Sequence, residues 1–341
     1  MLFSKQTLKL GVVMIALTLI LAACGGNQSN NGGSGAGSAN GNGDNKPKQE
    51  AGSNQTEAPK TKIYKAENGD IEVPVNPERI VAITFLGDLL ALGVTPVGAG
   101  SIALDNSVLL KEELSGVTSV GDVSVEAVMD LEPDLIIVPS YLPGETVEQL
   151  VKIAPTVAIP WFGFTGTDPL DQVKTIGGLI GKEAEAEAFI ARYKEKAAEA
   201  KARIAGAIGP DETVGSYSIW AKSFWVLPKG RDAGYNLLEM FGLTPQAKVN
   251  EEVIATGEGK DISLEVVPEY AADHMFVTVY EPDGGSERAK EIMEGSLWNN
   301  LDAVKNNHVY MLDMTEFWMN DGLNLEKQLD ILVDIILAQN K

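Results

Sequence analysis

The side chains able to do chemistry in this 341-residue chain are few, and most of them are aromatic. Trp161, Trp220, Trp225 and Trp318 stand with Phe85, Tyr141, Phe162 and Tyr280. Among them lie only three hydrogen-bonding or charged groups of interest: Ser101, Lys222 and Arg231. Flat aromatic faces around one guanidinium hold a bulky, partly apolar molecule and hydrogen-bond its oxygens. They do not form or break covalent bonds. The fifth tryptophan, Trp298, lies between two helical stretches and reads as packing. An enzyme is disfavoured. There is no Gly-x-Ser-x-Gly elbow, and Gly259-Lys260 lacks the upstream glycine and following hydroxyl of a phosphate loop. Gly98-Ala-Gly-Ser-Ile-Ala103 matches a dinucleotide fingerprint loosely, without a convincing helix directly after it. The two histidines read separately, His274 as a packed neutral imidazole in a buried strand and His308 as a surface residue before a strand. No metal centre and no cofactor is expected, since a zinc- or manganese-type centre needs several converging ligands.

Cys24, the only cysteine, has a different chemistry. Lys5 and Lys9 precede an apolar run that ends in Leu21-Ala-Ala-Cys24. A charged start, an apolar core and small residues before the cut mark a secretory signal over 1–23. The tetrapeptide resembles the signals of bacterial lipoproteins, in which the cysteine is diacylated and becomes the first residue of the mature chain. Two acyl chains anchor stably, which implies a Gram-positive-type lipoprotein on the outer face of the cell membrane, in contact with the bilayer through Cys24. Residues 24–62 are rich in Gly, Asn, Ser, Lys, Gln and Glu and bury almost nothing, so a disordered tether is expected. A formal charge of −21 disfavours nucleic acid as a partner.

These residues need a scaffold. Ile80–Thr84, Leu135–Pro139, Thr156–Pro160, Val214–Ile219, Met275–Val279 and Val309–Leu312 are short apolar runs separated by helical stretches. Runs apolar on both faces predict parallel sheets covered on both sides. Two segments repeat in register: Asp122-Val-Ser-Val-Glu-Ala-Val leads to Asp134-Leu-Ile-Ile-Val, and Asp261-Ile-Ser-Leu-Glu-Val-Val leads to Asp273-His-Met-Phe-Val. Each predicts a capping serine, a short helix and a buried strand. Between them Phe189, Tyr193, Ala197, Ala200 and Ile204 form one stripe of a long helix. The expected organisation is an N-lobe over 63–181, a connecting helix over 182–207 and a C-lobe over 208–341. Ligands of open α/β sheets lie beyond the carboxyl ends of strands, which selects the aromatic and polar residues named above.

Pro77-Glu-Arg-Ile-Val-Ala, Leu92-Gly-Val-Thr-Pro-Val-Gly, Leu131-Glu-Pro-Asp-Leu-Ile-Ile, Gly230-Arg231 through Phe241-Gly-Leu, and Phe317-Trp-Met-Asn-Asp-Gly-Leu together resemble a known family. It is the family of binding proteins that deliver iron-siderophores and vitamin B12 to ABC importers, and the ferric-hydroxamate binders are the most similar branch. The resemblance implies an α/β fold of two Rossmann-like lobes with parallel sheets joined by one long rigid helix. It implies a monomer that takes a ferric siderophore into the cleft between the lobes and delivers it to a dimeric permease. It also implies that Arg231 meets the oxygens around the iron, and that Glu126 and Glu265, one per lobe, pair with permease arginines. As first-turn acids, the two glutamates would also complement their helix dipoles. A catecholate siderophore, haem or cobalamin is the alternative ligand. The scarcity of cations, with Lys222, Lys229 and Arg231 alone plausible, favours a near-neutral hydroxamate chelate.

Overall fold

The computed structural model describes residues 60–161 and 168–340. The expected signal, Cys24, residues 24–59 of the expected tether, and Phe162 lie outside the described residues. The tether ends earlier than expected, because Thr61 and Lys62 already belong to a strand. That strand, β1 (Thr61–Ala66), pairs antiparallel with β2 (Gly69–Pro74) around the turn residues Glu67 and Asn68. The hairpin went unpredicted, although Asn68-Gly69 between two strand-like stretches is a turn signal, and Gly69 takes φ 112°. Its tip covers an otherwise open sheet edge. Asn68 donates to Thr156 O (2.9 Å) and accepts from Ala158 N–H (3.0 Å). Such pairing removes a free edge.

The N-lobe sheet consists of β3 (Ile80–Ala82), β4 (Gly98–Ala99), β5 (Thr118–Ser119), β6 (Leu135–Pro139) and β7 (Thr156–Ile159). All are parallel, in the order β5-β4-β3-β6-β7. Alternation assigns the two faces. Ile80, Ala82, Leu135, Ile137 and Val157 enter the central core, whereas Val81, Ile136, Val138 and Ala158 enter an outer one. This two-sided burial is why these strands read as unbroken apolar runs.

The C-lobe sheet comprises β8 (Thr213–Ile219), β9 (Phe224–Val226), β10 (Thr244–Pro245), β11 (Lys260–Ile262), β12 (His274–Val279) and β13 (Val309–Leu312). Its order is β11-β9-β8-β12-β13, with β10 beside the start of β8. β10, β8, β12 and β13 pair parallel as expected, and β9 alone is reversed, antiparallel to both β8 and β11. β8 enters β9 through Trp220–Ser223, closed by Trp220 N–H to Ser223 O (3.0 Å). A link so short permits a hairpin and not a parallel crossover.

The repeated aspartates do the same work in both lobes. Asp134 accepts the N–H groups of Glu78 and Arg79, and Asp273 accepts that of Thr213. Each acid thus ties the start of its own strand to the start of the lobe's leading strand.

The connecting helix spans Glu183–Ile204, a shorter stretch than the expected 182–207, and is about 33 Å long at 1.5 Å per residue. It follows a separate helix, Pro169–Ile180, which Asp168 caps through Leu170 N–H (2.9 Å) and Gly181 ends at φ 73°. The predicted stripe from Phe189 to Ile204 is buried. A single long helix is not the whole connection. The C-terminal helix Gly322–Gln339 packs on the connecting helix and on the N-lobe helix Leu86–Ala91. Leu86, Leu89, Phe189, Tyr193, Phe276, Leu325 and Leu329 share one core that runs through both lobes.

Two buried carboxylates close this seam. Asp88 Oδ1 accepts Gly322 N–H (2.9 Å), and Asp321 Oδ2 accepts Gly87 N–H (2.8 Å). Gln172 lies 2.5 Å from Asp88 Oδ2, and Asn324 donates to Asp321 Oδ1 (2.6 Å). Gly87 is required, because a Cβ there would lie 1.9 Å from Asp321 Oδ1, while a Cβ on Gly322 would be a tight fit 3.0 Å from Val173 Cγ2. Burial first, and then the neighbouring Asp321 charge, push the Asp88 carboxyl up to about 8. Burial raises Asp321 as well. The folded protein therefore holds a proton that the unfolded chain releases near pH 4. Stability from this proton is complete below pH 4 and is lost as pH rises toward 8. Asp88→Asn keeps the carbonyl acceptor and removes the titration. In urea unfolding between pH 4 and 8, the variant is expected to have a slope less negative by up to roughly 1.4 kcal/mol per pH unit. Parallel curves for the two proteins would refute a bound proton.

Candidate functional site

At the carboxyl end of β8 and the segment after β13 the C-lobe opens into a cavity of ≈ 580 Å³. Its size suits a small ligand. Ser218, Trp220, Trp225, Arg231, Asp232 and Trp318 are among its walls. The β8–β9 hairpin supplies the first three. Ser218 closes β8, Trp220 begins the turn, and Trp225 lies on β9, not on a loop as expected. The alternation of β9 buries Phe224 and Val226 and leaves Trp225 facing outward. Trp220 Nε1–H donates to Ser218 Oγ (3.0 Å), which fixes the indole. Tyr280 follows β12 and stacks on Trp220 (4.1 Å, 24°), and Trp318 continues the row at 5.9 Å from Tyr280. Three aromatic rings from three segments thus form one row, of which Trp220 and Trp318 line the cavity and Tyr280 stands between them behind the lining.

Arg231 follows the tight turn closed by its own N–H to Pro228 O (3.1 Å). Asp232 comes next in left-handed backbone (φ 47°) and is 3 % exposed. Its Oδ2 accepts from Thr278 Oγ1–H (2.6 Å). Burial pushes its carboxyl up to about 6, against the opposing effects of that hydrogen bond and the Arg231 charge. A non-glycine residue held at positive φ stores backbone strain of the kind that collects at functional sites. Glu258, flanked by Gly257 and Gly259, also lines the cavity. The lining therefore carries one cation and two carboxylates. Asp232 and Glu258 were missed from sequence. Asp232 is adjacent to a selected arginine, and Glu258 lies in a glycine-flanked stretch that had been considered only as a phosphate loop.

The remaining expected ligand residues fall elsewhere. Phe85 is corrected: it is 1 % exposed and packs in the central core. Its left-handed φ of 71° turns the side chain inward at the start of helix Leu86–Ala91. Lys222 is exposed in the hairpin turn and does not line the cavity. Lys229 pairs with Glu239 (2.9 Å). In the N-lobe, Tyr141 and Trp161 meet edge to face (5.6 Å, 77°) beyond β6 and β7. Ser101 donates to Asp122 Oδ1 (3.0 Å). It begins the helix Ser101–Asn106, which does follow the glycine-rich stretch, contrary to the sequence reading. Trp298 is buried in the C-lobe core.

Glu126 and Glu265 are both exposed. Ser124 caps helix Val125–Asp130 by accepting Ala127 N–H (3.3 Å). The second copy differs from expectation. Ser263 caps nothing, and a 3-10 turn, Leu264–Val266, precedes helix Val267–Tyr270. The Glu265 carboxylate accepts hydrogen bonds from its own N–H and from the Ser263 hydroxyl, which hold it below the usual range. His274 is buried on β12 as expected, but the two histidines, read separately from sequence, meet. His274 and His308 stack at 4.1 Å, because Met275 pairs with Val309 and sets their predecessors abreast.

Residues 81–315 match the family model described as periplasmic binding protein. The chain belongs to the periplasmic binding protein family. Members of this family are substrate-binding proteins of ABC importers and not enzymes. Among relatives of the chain, the iron(3+)-hydroxamate-binding protein YxeB of Bacillus subtilis is 38 % identical over 341 residues, covering 98 % of each chain. The iron(3+)-hydroxamate-binding protein FhuD of the same organism is 34 % identical over 333 residues, covering 96 % of this chain and 97 % of that one. Among solved structures, FhuD2 of Staphylococcus aureus with bound ferrioxamine B superposes with a TM-score of 0.67 at 27 % identity, covering 78 % of this chain and all of that one. The described cavity is thus carried by a periplasmic-binding-protein fold.

The placement of Phe85 and Trp318 generates a contrast. Phe85→Ala is expected to cost about 3–5 kcal/mol of stability, as for a fully buried aromatic. Trp318→Ala, at a half-exposed wall, is expected to cost under about 1.5 kcal/mol. Urea denaturation of the two variants measures both, and equal losses would place Trp318 in the core.

Proposed function

We propose that the protein is an extracytoplasmic, lipid-anchored binding protein that captures a ferric hydroxamate siderophore and delivers it to a dimeric ABC permease. One observation carries the choice of chelate. The cavity pairs an aromatic wall with a single arginine and two carboxylates, Asp232 and Glu258. A catecholate chelate with several negative charges would meet uncompensated like charge there, which costs free energy in a desolvated site. A near-neutral hydroxamate chelate meets none. Trp220, Trp225 and Trp318 contact its apolar backbone, with Tyr280 stacked behind them. Arg231 donates to the oxygens around the iron, and Tyr141, Trp161 and Ser101 belong to the N-lobe side of the cleft. The iron is cargo held by the chelator. The two hydroxamate-binding relatives support this reading. Anchoring through diacylated Cys24 and a monomeric state are parts of the same proposal.

A ferric hydroxamate is expected to quench tryptophan fluorescence with a dissociation constant in the micromolar range or tighter, about 8 kcal/mol or more. Arg231→Ala is expected to weaken binding by at least about 1.5 kcal/mol. Quenching by ferric catecholates alone would overturn the assignment, and undiminished affinity in the variant would move the site.

Glu126 and Glu265 are proposed to pair with permease arginines, one glutamate per lobe. The double variant Glu126→Ala, Glu265→Ala is expected to keep full chelate affinity in solution while cellular uptake of the ferric siderophore falls sharply. Normal uptake, with the protein present at the surface, would leave both residues only a local role at their helix starts.

A further inference from the structure

At the opposite ends of the strands that build the cavity lies a second cluster. Glu212 directly precedes β8, His274 opens β12, and His308 directly precedes β13. β8 has seven residues, so at about 3.3 Å per residue roughly 20 Å separate this cluster from the chelate cavity. One ligand-capable atom from each of the three side chains lies within 4.8 Å of the other two. His274 is fully buried, and its Nε2 is 3.0 Å from Glu212 Oε2. Its Nδ1 is 3.0 Å from Tyr310 Oη, which also accepts from Asn340 (3.1 Å). His308 stacks on His274, and its Nδ1 is buried without a hydrogen-bond partner. A buried ring nitrogen left in this way loses free energy that a ligand would restore. Glu212 is 40 % exposed at its side chain, so ions reach the cluster from solvent.

We propose that Glu212, His274 and His308 form a binding site for a divalent transition-metal ion of the zinc class. Two imidazoles and a carboxylate, with a fourth position left to water, are a ligand set that zinc accepts. The protonation pattern fits. Without metal the contact with the Glu212 carboxylate calls for a proton on His274 Nε2; once Nε2 binds the metal the remaining proton sits on Nδ1, where Tyr310 Oη accepts it and fixes the ring. A tetrahedral ion with bonds near 2.0–2.2 Å needs its ligand atoms about 3.3 Å apart. The His274–Glu212 separation is already close to this. The parallel stack must open, so His308, which is half-exposed, turns about its χ2 while the buried His274 stays in place. Bound metal adds a three-point tie at the starts of three strands, beside their backbone ladders and the Thr213–Asp273 hydrogen bonds. Its role is to stabilise the C-lobe, apart from iron capture.

The test uses the full folded chain after treatment with a chelator, titrated with zinc alone. A thermal shift of roughly 5 °C upward is expected at a hundredfold excess over the dissociation constant. Cobalt substituted for zinc is expected to show the intense visible absorption of a tetrahedral site. His308→Ala is expected to abolish both signals, and because His308 is half-exposed the variant should fold. Tyr310→Phe keeps the ring and loses the second-sphere oxygen, and is expected to weaken zinc binding about tenfold. Fluorescence quenching by ferric chelate is expected to be unchanged in His308→Ala, which keeps this site separable from the chelate cavity. No zinc shift in the parent protein would overturn the proposal. So would an equal shift in His308→Ala, which would assign the ion to the acidic surface.

Discussion

The seam between the lobes depends on two carboxylates that have no cationic partner among their hydrogen bonds. Asp88 and Asp321 each accept a backbone N–H from the element that carries the other, through Gly322 and Gly87. Two ionised carboxylates this deep would repel one another at several kcal/mol of desolvation cost each. Protonation of one resolves the conflict, and burial favours it. The proton is thus a structural component of the hinge. Gly87 leaves no room for a side chain and Gly322 little, so the helices approach closely and the N–H groups reach across. The same seam carries Arg192 to Glu326 (2.9 Å), Tyr193 to Asn236 (2.5 Å) and Asn236 to Leu325 O (3.0 Å). Lobes fixed at this many points along one shared core move little relative to each other.

What could be read in the sequence follows from where the signals are local. β6 is legible residue for residue because a strand buried on both faces is a continuous apolar run, and β13 is legible as an apolar run although Met311 is exposed on its outer face. The stripe from Phe189 to Ile204 was equally plain. The repeated Asp134 and Asp273 were visible as a register, and the structure gives them one shared task. The β8–β9 hairpin was hidden because Trp220–Ser223 contains neither glycine nor asparagine to mark its turn. Phe85 was misplaced because a rule about positions after strands says nothing about φ. The left-handed turn at that position points the ring into the core. The histidine pair was invisible for a third reason. Residues 274 and 308 become neighbours only once the register of β12 against β13 is known.

The cavity shows how much depends on such non-local facts. Its aromatic wall was selected from sequence by the strand-end rule. Its charge was not, because charge balance depends on which ionisable groups face the same space. Lys229 counts as a cation in sequence but is committed to Glu239. Asp232 counts for little in a chain with 48 acids, yet it is one of two acids in the lining. Composition therefore pointed to a cation-poor site for a partly wrong reason. The fold strengthens the conclusion by placing carboxylates where cations had been looked for.

The C-lobe strands separate their tasks by polarity. Their carboxyl ends hold the aromatic wall, where the sheet stops and side chains from turns converge on open space. Their amino ends hold Glu212, His274 and His308, packed against the last helical turn through Asn340 and Tyr310. A ligand at one end meets the other only through the strands, and strands in a two-sided core do not bend easily. The rigid seam imposes the same logic on the two lobes. The exposed glutamates sit on separate lobes, and the clasp of Asp88 and Asp321 limits how far their spacing changes when a chelate enters. A permease that engages both lobes would then read occupancy from small local changes at the cleft and not from a large closure. This is consistent with a lobe connection of two packed helices and a proton in place of a flexible strand crossover.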